Sequence, residues 1–156
     1  MIRNKRGEGY IQVCVLIIVI CMILAVIITF ANTYNVVRLN ESNAKTVLES
    51  FVTKNSIRIY DSIKQGSNET RTIDADEYVS DLIQFCTFAE VGDFLYHNNA
   101  DGETDYFINK PKVEIIDGKL KMAASFNVYV PMYFNRVYLG LLNIPLTVKI
   151  DLEKRY

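Results

Sequence analysis

The chain has 156 residues, and with one hydrophobic run near its start set aside about 125 remain, enough for one compact domain and too few for two. Half the residues are hydrophobic, 22% are charged, and 17 Lys/Arg against 18 Asp/Glu leave a formal net charge of −1. That balance excludes the clustered positive footprint of a nucleic-acid binder, and a single histidine nearly excludes His-based metal centres and a Ser/His/Asp triad with a spare ligand.

The charge is unevenly placed. Arg3, Lys5 and Arg6 stand before the hydrophobic run, and subtracting them and Glu8 leaves 14 cations against 17 anions from Asn32 onward. Within residues 11–31 only Gln12 and Thr29 are polar, and about 21 residues at a rise of ~1.5 Å span the roughly 30 Å hydrocarbon layer. Lipid offers no partner to backbone N–H and C=O groups, so such a run is expected as a helix. The positive-inside rule makes residues 1–10 a basic cytoplasmic leader, 11–31 a transmembrane helix and 32–156 an extracytoplasmic domain. The chain is therefore expected in the cell membrane as a single-pass protein. The competing reading is a cleaved secretory signal, with Thr29-Phe30-Ala31 as a small-x-small site before Asn32. The length of the run favours a retained anchor, because a signal's apolar core is normally about 7–15 residues.

Beyond Asn32 the apolar residues thin to a helical spacing: Val37, Ala44, Val47, Leu48, Phe51, then Ile59 and Ile63. The simplest expectation is one long helix over 11–64, stopped by Gly66-Ser67-Asn68, with a weak place at Lys54-Asn55-Ser56 where propensity is low. A second helix is expected over 75–88, with Asp74 as N-cap, Glu77 as its capping partner and Val79, Leu82, Ile83 and Cys86 on the buried side. The stretch 92–109 reads as loop with one short strand near Tyr106-Phe107-Ile108.

An antiparallel sheet is expected in the last third. Val113 and Ile115 lead into Asp117-Gly118, then Leu120, Met122, Ala124, Phe126, Val128 and Val130 alternate strictly. A two-residue loop there puts Ile115 opposite Leu120, Val113 opposite Met122 and Glu114 opposite Lys121. A further strand follows Pro145, with Leu146, Val148, Ile150 and Leu152 on its packed face. Helix stripe on sheet face makes an α+β fold: a long N-terminal helix, transmembrane in its first half, packed on a C-terminal antiparallel sheet of about three to four strands.

The link 132–143 is unusually apolar for a connection between strands, with Tyr133, Phe134, Tyr138 and Leu141 among its residues. Either it folds under the sheet as core, or it is a contact surface for another subunit or the membrane interface. Cys14 and Cys21 lie about two helical turns apart, so Cys86 stands alone as a small buried hydrophobe, an intermolecular disulfide partner or a thiol sensor. His97, in an Asn-rich stretch, reads as solvated. Asp101, Glu103 and Asp105 match no complete Ca²⁺-loop pattern and read as a solvated charge run. With no phosphate loop, dinucleotide fingerprint, CxxC or nucleophile elbow, the expectation is no catalytic residue, no metal, no cofactor, no small-molecule substrate and no nucleic acid.

The opening Arg6-Gly7-Glu8-Gly9-Tyr10-Ile11-Gln12-Val13 resembles the prepilin-type leader of TadE-like minor pilins, and the plan of long helix then sheet is similar to type IV pilin-like proteins (pseudopilins) generally. The resemblance implies leader cleavage between Gly7 and Glu8 by a prepilin peptidase. It also implies extraction from the membrane into a filament or its base, with other pilin-like subunits and an assembly platform as partners. Glu8 would be the new N-terminus, and Gln12 stands where the family usually has a carboxylate. That acid neutralises a neighbour's N-terminal amine inside the filament, which glutamine cannot do. Three readings stay open: Glu8 pairs the amine, the subunit sits at a tip where no neighbour needs pairing, or Gln12 is merely a polar residue at the helix entrance near the headgroups, with no function.

The resulting expectation is a structural, non-enzymatic subunit of a bacterial surface appendage or secretion apparatus. The alternative is a membrane-tethered extracytoplasmic binding or accessory protein that is never trimmed.

Overall fold

With no proline before Pro111 and an unbroken supply of helix-compatible apolar residues, nothing in the first fifty residues interrupts a helix. The computed structural model describes residues 5–57, 75–116, 121–134 and 137–151. Its first element, α1, runs Lys5–Lys54, and Asn55 follows in a turn, at the weak place expected. Ile59, Ile63 and the Gly66 stop lie outside the described residues. Contacts divide the chain into two compact units, Met1–Asn35 and Val36–Tyr156.

In the first unit the large apolar side chains from Tyr10 to Phe30 are exposed. Two hydroxyls are turned inward on the helix itself: that of Thr29 donates to the Ala25 carbonyl at 2.9 Å and that of Thr33 to the Thr29 carbonyl at 3.0 Å. Internal pairing of this kind suits an apolar solvent.

In the second unit the stripe on α1 is core. Ala44, Val47, Leu48, Phe51 and Val52 are buried against Tyr78, Val79, Leu82 and Cys86 of α2 (Ala75–Cys86) and against the inner face of a sheet. Each such large side chain contributes about 1.5–3 kcal/mol by leaving water. Ile83 is only partly buried, and Tyr78, absent from the expected face, is wholly buried. Glu77 accepts from Lys54 at 2.8 Å and from Asn55 at 3.4 Å, tying α2 to the end of α1. Asp74 lies outside the described residues.

Helix α2 stops two residues before the expected end, and its cap explains why. Thr87 takes a left-handed conformation (φ 57°), and the Phe88 N–H reaches back to the Ile83 carbonyl at 3.1 Å, closing a Schellman-type turn. A β-branched residue is strained there. Thr87→Gly is accordingly expected to raise stability by about 1 kcal/mol in denaturant titration of the detergent-solubilised chain.

Six antiparallel strands form the sheet, more than the three to four expected: β1 (Ala89–Val91), β2 (Phe94–Asn98), β3 (Thr104–Asn109), β4 (Lys112–Ile116), β5 (Lys121–Phe134) and β6 (Val137–Asp151). Strand β3 contains the short strand expected at Tyr106-Phe107-Ile108, while β1 and β2 are additional, β2 lying where only loop was expected. A turn at Gly92 (φ 62°) and a loop at 99–103 separate short runs whose alternation, Phe94-Leu95-Tyr96 and Tyr106-Phe107-Ile108, is that of strands. Pairing Leu95 with Ile108 buries one face of both.

Strands β3 and β4 share one edge of β5, at Tyr129/Val128 and at Ser125 to Lys121 respectively, and the buried Pro111, which has no N–H for a ladder, marks the break between them. Strand β6 takes the opposite edge of β5 along its whole length. The alternation of β5 is as expected, with Met122, Ala124, Phe126, Val128 and Val130 all buried; Leu120 and Leu152 lie outside the described residues. Its register against β4 is not. Ile115 faces Met122, Val113 faces Ala124 and Glu114 faces Ala123, so a four-residue connection replaces the two-residue turn and the Glu114–Lys121 pair is not made. A slip of two residues keeps every side chain on its own face, so the pattern could not discriminate the two registers. Ala123 is buried on the wet face because it lies between the longer Glu114 and Lys149 of the adjoining strands.

Candidate functional site

The apolar link of 132–143 is not a link. Its described residues, 132–134 and 137–143, are the far ends of β5 and β6, a hairpin paired from Lys121↔Asp151 out to Phe134↔Val137. Strand β3 leaves β5 after Tyr129, so beyond that point the described residues form a two-stranded arm. The register shifts between Met132 and Tyr133, leaving Leu139 as an extra residue on β6, a bulge.

The arm does not fold under the sheet. Tyr133, Tyr138, Leu139 and Leu141 are 56%, 56%, 64% and 44% exposed, and the two tyrosine rings meet edge to face at 5.7 Å. Core burial is thereby ruled out for these residues, and a contact surface is the reading left. Phe134 ends β5, and its side chain lies outside the described residues. An isolated hairpin is only marginally stable in water, so an exposed apolar arm marks a surface made for another environment.

The outer face of the sheet carries a second aromatic feature that the sequence reading missed. Tyr96, Phe107 and Tyr129 stack across β2, β3 and β5 with centroids 5.0 and 4.9 Å apart, and Phe94 meets Phe107 and Tyr129 edge-on at 5.6 and 5.9 Å. These rings spend their faces on one another, each pair adding about 0.5–1.5 kcal/mol, so the ladder stiffens the sheet from which the arm extends. Its signal was available: each ring sits one residue from an inward-facing Leu95, Ile108 or Val128.

His97 is only partly solvated, its side chain 34% exposed. Its ring stacks on Tyr106 at 4.7 Å and meets Phe88 edge-on, and its buried Nδ1 has no hydrogen-bond partner among the described residues, the nearest carboxylate being Asp105 at 4.0 Å. In the acidic loop, Asn99 Oδ1 accepts from the backbone N–H groups of Asp101 and Glu103, and Gly102 supplies a positive φ. The turn is closed by its own amide donors. Among the described residues no three His, Cys, Asp or Glu side chains gather as a metal site would require. An open groove of about 620 Å³ between α1 and α2 is lined by Thr46, Ser50, Lys54, Asp81, Gln84 and Phe85, in which Lys54 is held by Glu77 and Asp81.

Titratable groups in the core are structural. Burial pushes the Cys86 thiol up, with a hydrogen bond from Asn43 pulling the other way, so little thiolate forms near neutral pH. Burial also raises Tyr78, and lifts Tyr106 to about 12 against the opposing hydrogen bond from Asn40. Because the unfolded chain releases these protons first, near pH 10, their contribution is whole below that pH and is lost as pH rises toward 12. Alkaline titration followed by tyrosinate absorbance is expected to show ionisation of Tyr78 and Tyr106 coinciding with unfolding.

Of the residues at the start of the chain, Gly7 and Glu8 fall in the first turns of α1, with side chains outside the described residues, and Gln12 is exposed on the same helix. Among the described residues one helix is long and apolar enough to cross a membrane, which is consistent with a single-pass anchor or a signal sequence. A long N-terminal apolar helix is continued by a segment that packs on a C-terminal antiparallel sheet. The architecture is pilin-like. No family model, no curated protein and no solved structure matches the chain.

Proposed function

We propose that this chain is a structural, non-enzymatic subunit of a bacterial surface appendage or secretion apparatus, a TadE-like minor pilin held in the membrane before assembly. The observation that carries the reading is α1: fifty residues of one helix, exposed and apolar in its first half and amphipathic where it meets the sheet. An exposed apolar helix of this kind is stable in lipid, or among the matching helices of sister subunits, and in neither case in water. The basic residues at Arg3, Lys5 and Arg6 put the N-terminus in the cytoplasm and the sheet domain outside. Prepilin peptidase cuts after Gly7, and the assembly platform then draws the subunit out with its sisters.

A second reading is favoured by Gln12. A subunit without the carboxylate has no charge to offer a neighbour's amine, which suits a membrane-tethered binding or accessory protein that is never processed. The mature N-terminus discriminates between them. Intact-mass measurement of the protein from its native membrane is expected to show a chain beginning at Glu8; a chain beginning at Met1 supports the tether, and one beginning at Asn32 a secreted domain.

A further inference from the structure

We infer that the distal arm of the β5–β6 hairpin is a membrane-interface foot, its exposed Tyr133, Tyr138, Leu139 and Leu141 seated in the headgroup layer of the bilayer from which the chain emerges. The inference rests on the membrane-anchored reading of residues 11–31.

Position within the second unit carries the first step. The Tyr106 ring meets Phe88, just past the end of α2, at 6.0 Å and lies near Asn40 of α1, while Lys110, at the other end of β3, lies near Asp76 at the start of α2, next to the Glu77 that binds Asn55. Strand β3 thus runs from the level of Asn40 toward that of Asn55, and β5, antiparallel to it, runs the opposite way. One register step beyond Phe107↔Tyr129 sets Val130 at the level of Tyr106 and hence of Asn40. From there to Phe134 the arm continues ~13 Å, whereas α1 needs only ~6 Å to reach Val36, the first residue of the unit. The arm therefore overruns the end of the domain at which the chain enters.

Covalent reach carries the second step. Five peptide units join Ala31 to Val36, so the residue at which the chain enters the domain is at most ~17 Å from the end of the apolar run. Chemistry carries the third. Between Asp117 and Asp151 the sequence contains no acidic residue, in a domain that is otherwise net negative; Lys121 and Lys149 belong to the opposite end of the hairpin, and within 130–143 the one charged residue in the sequence is Arg136. An arm free of carboxylates and tipped with tyrosine and leucine fits an anionic lipid interface, where amphipathic rings concentrate. Bulging at Leu139 spoils the tip as a template for another strand.

The chain has no tryptophan, so single reporters are clean. Full-length Val15→Trp, Leu139→Trp, Tyr138→Trp and Phe85→Trp proteins are reconstituted into phosphatidylcholine/phosphatidylglycerol vesicles brominated at a shallow acyl position, with unbrominated vesicles as reference. The expected result is that Trp at 15, 138 and 139 loses most of its emission to bromine while Trp at 85 keeps it. Quenching at 15 without quenching at 138 and 139 overturns the foot and leaves the anchor standing. A blue-shifted but unquenched signal at 138 and 139 overturns it in favour of a protein partner or a second copy on the arm. Absence of quenching at 15 removes the anchor itself, and the foot with it.

Discussion

Gly7→Leu is expected to leave the protein entirely untrimmed, with Met1 retained in intact-mass spectra of membranes in which the natural sequence begins at Glu8. The leader assignment requires the bond after residue 7 to enter the active site of a membrane peptidase, and a residue with no side chain lets the backbone approach closely. A branched isobutyl group at that position holds the bond away. Gly7→Ala adds one methyl and is a weaker probe. Because residue 7 lies ahead of the apolar run, the Leu variant keeps its anchor and its domain, so accumulation in the membrane is expected to be unchanged. Normal trimming of the Leu variant rejects the cleavage site, and with it the roles suggested for Glu8 and Gln12.

Tyr78→Ala is expected to destabilise the sheet domain by about 3–5 kcal/mol, enough to consume much of the stability of a domain of this size. Tyr78 is fully buried, meets Phe51 edge-on at 6.0 Å and donates from its hydroxyl to the Ala44 carbonyl at 3.1 Å, so one ring joins α2 to two turns of α1. Truncation to Ala leaves a ring-sized cavity between the helices. Tyr78→Phe keeps the ring and gives up only the hydrogen bond, at a cost of about 1 kcal/mol, since the net worth of such a bond is small. Urea titration of the detergent-solubilised full chain, followed by near-ultraviolet circular dichroism, separates the two. Equal effects for Ala and Phe would mean that the hydroxyl rather than the packing holds the helices together.

Sequence patterns were reliable where the determining interaction is local or one-dimensional. The apolar run of 11–31, the stripe Ala44, Val47, Leu48, Phe51 and the alternation from Met122 to Val130 each record a segment's solvent and its period, and each matches the structure. Tyr78 escaped because a tyrosine on an amphipathic helix reads as readily as boundary as core until its hydroxyl has a partner, and that partner lies 34 positions away. The half-buried setting of His97 escaped for a related reason, since its Asn-rich neighbours in sequence say nothing of Phe88 and Tyr106, which its ring contacts.

By itself, then, the sequence determined that the chain carries one helix fit for lipid and an α+β domain with a polar and an apolar sheet face, because hydropathy and period act within a segment. The tertiary structure alone decided which register β4 keeps against β5, that 89–98 adds two strands to the sheet, and that Tyr133, Tyr138, Leu139 and Leu141 lie on an exposed arm rather than in the core. Those outcomes depend on where a strand loses its neighbour, and β5 keeps β3 only as far as Phe107↔Tyr129, a pairing between distant segments that no local pattern encodes.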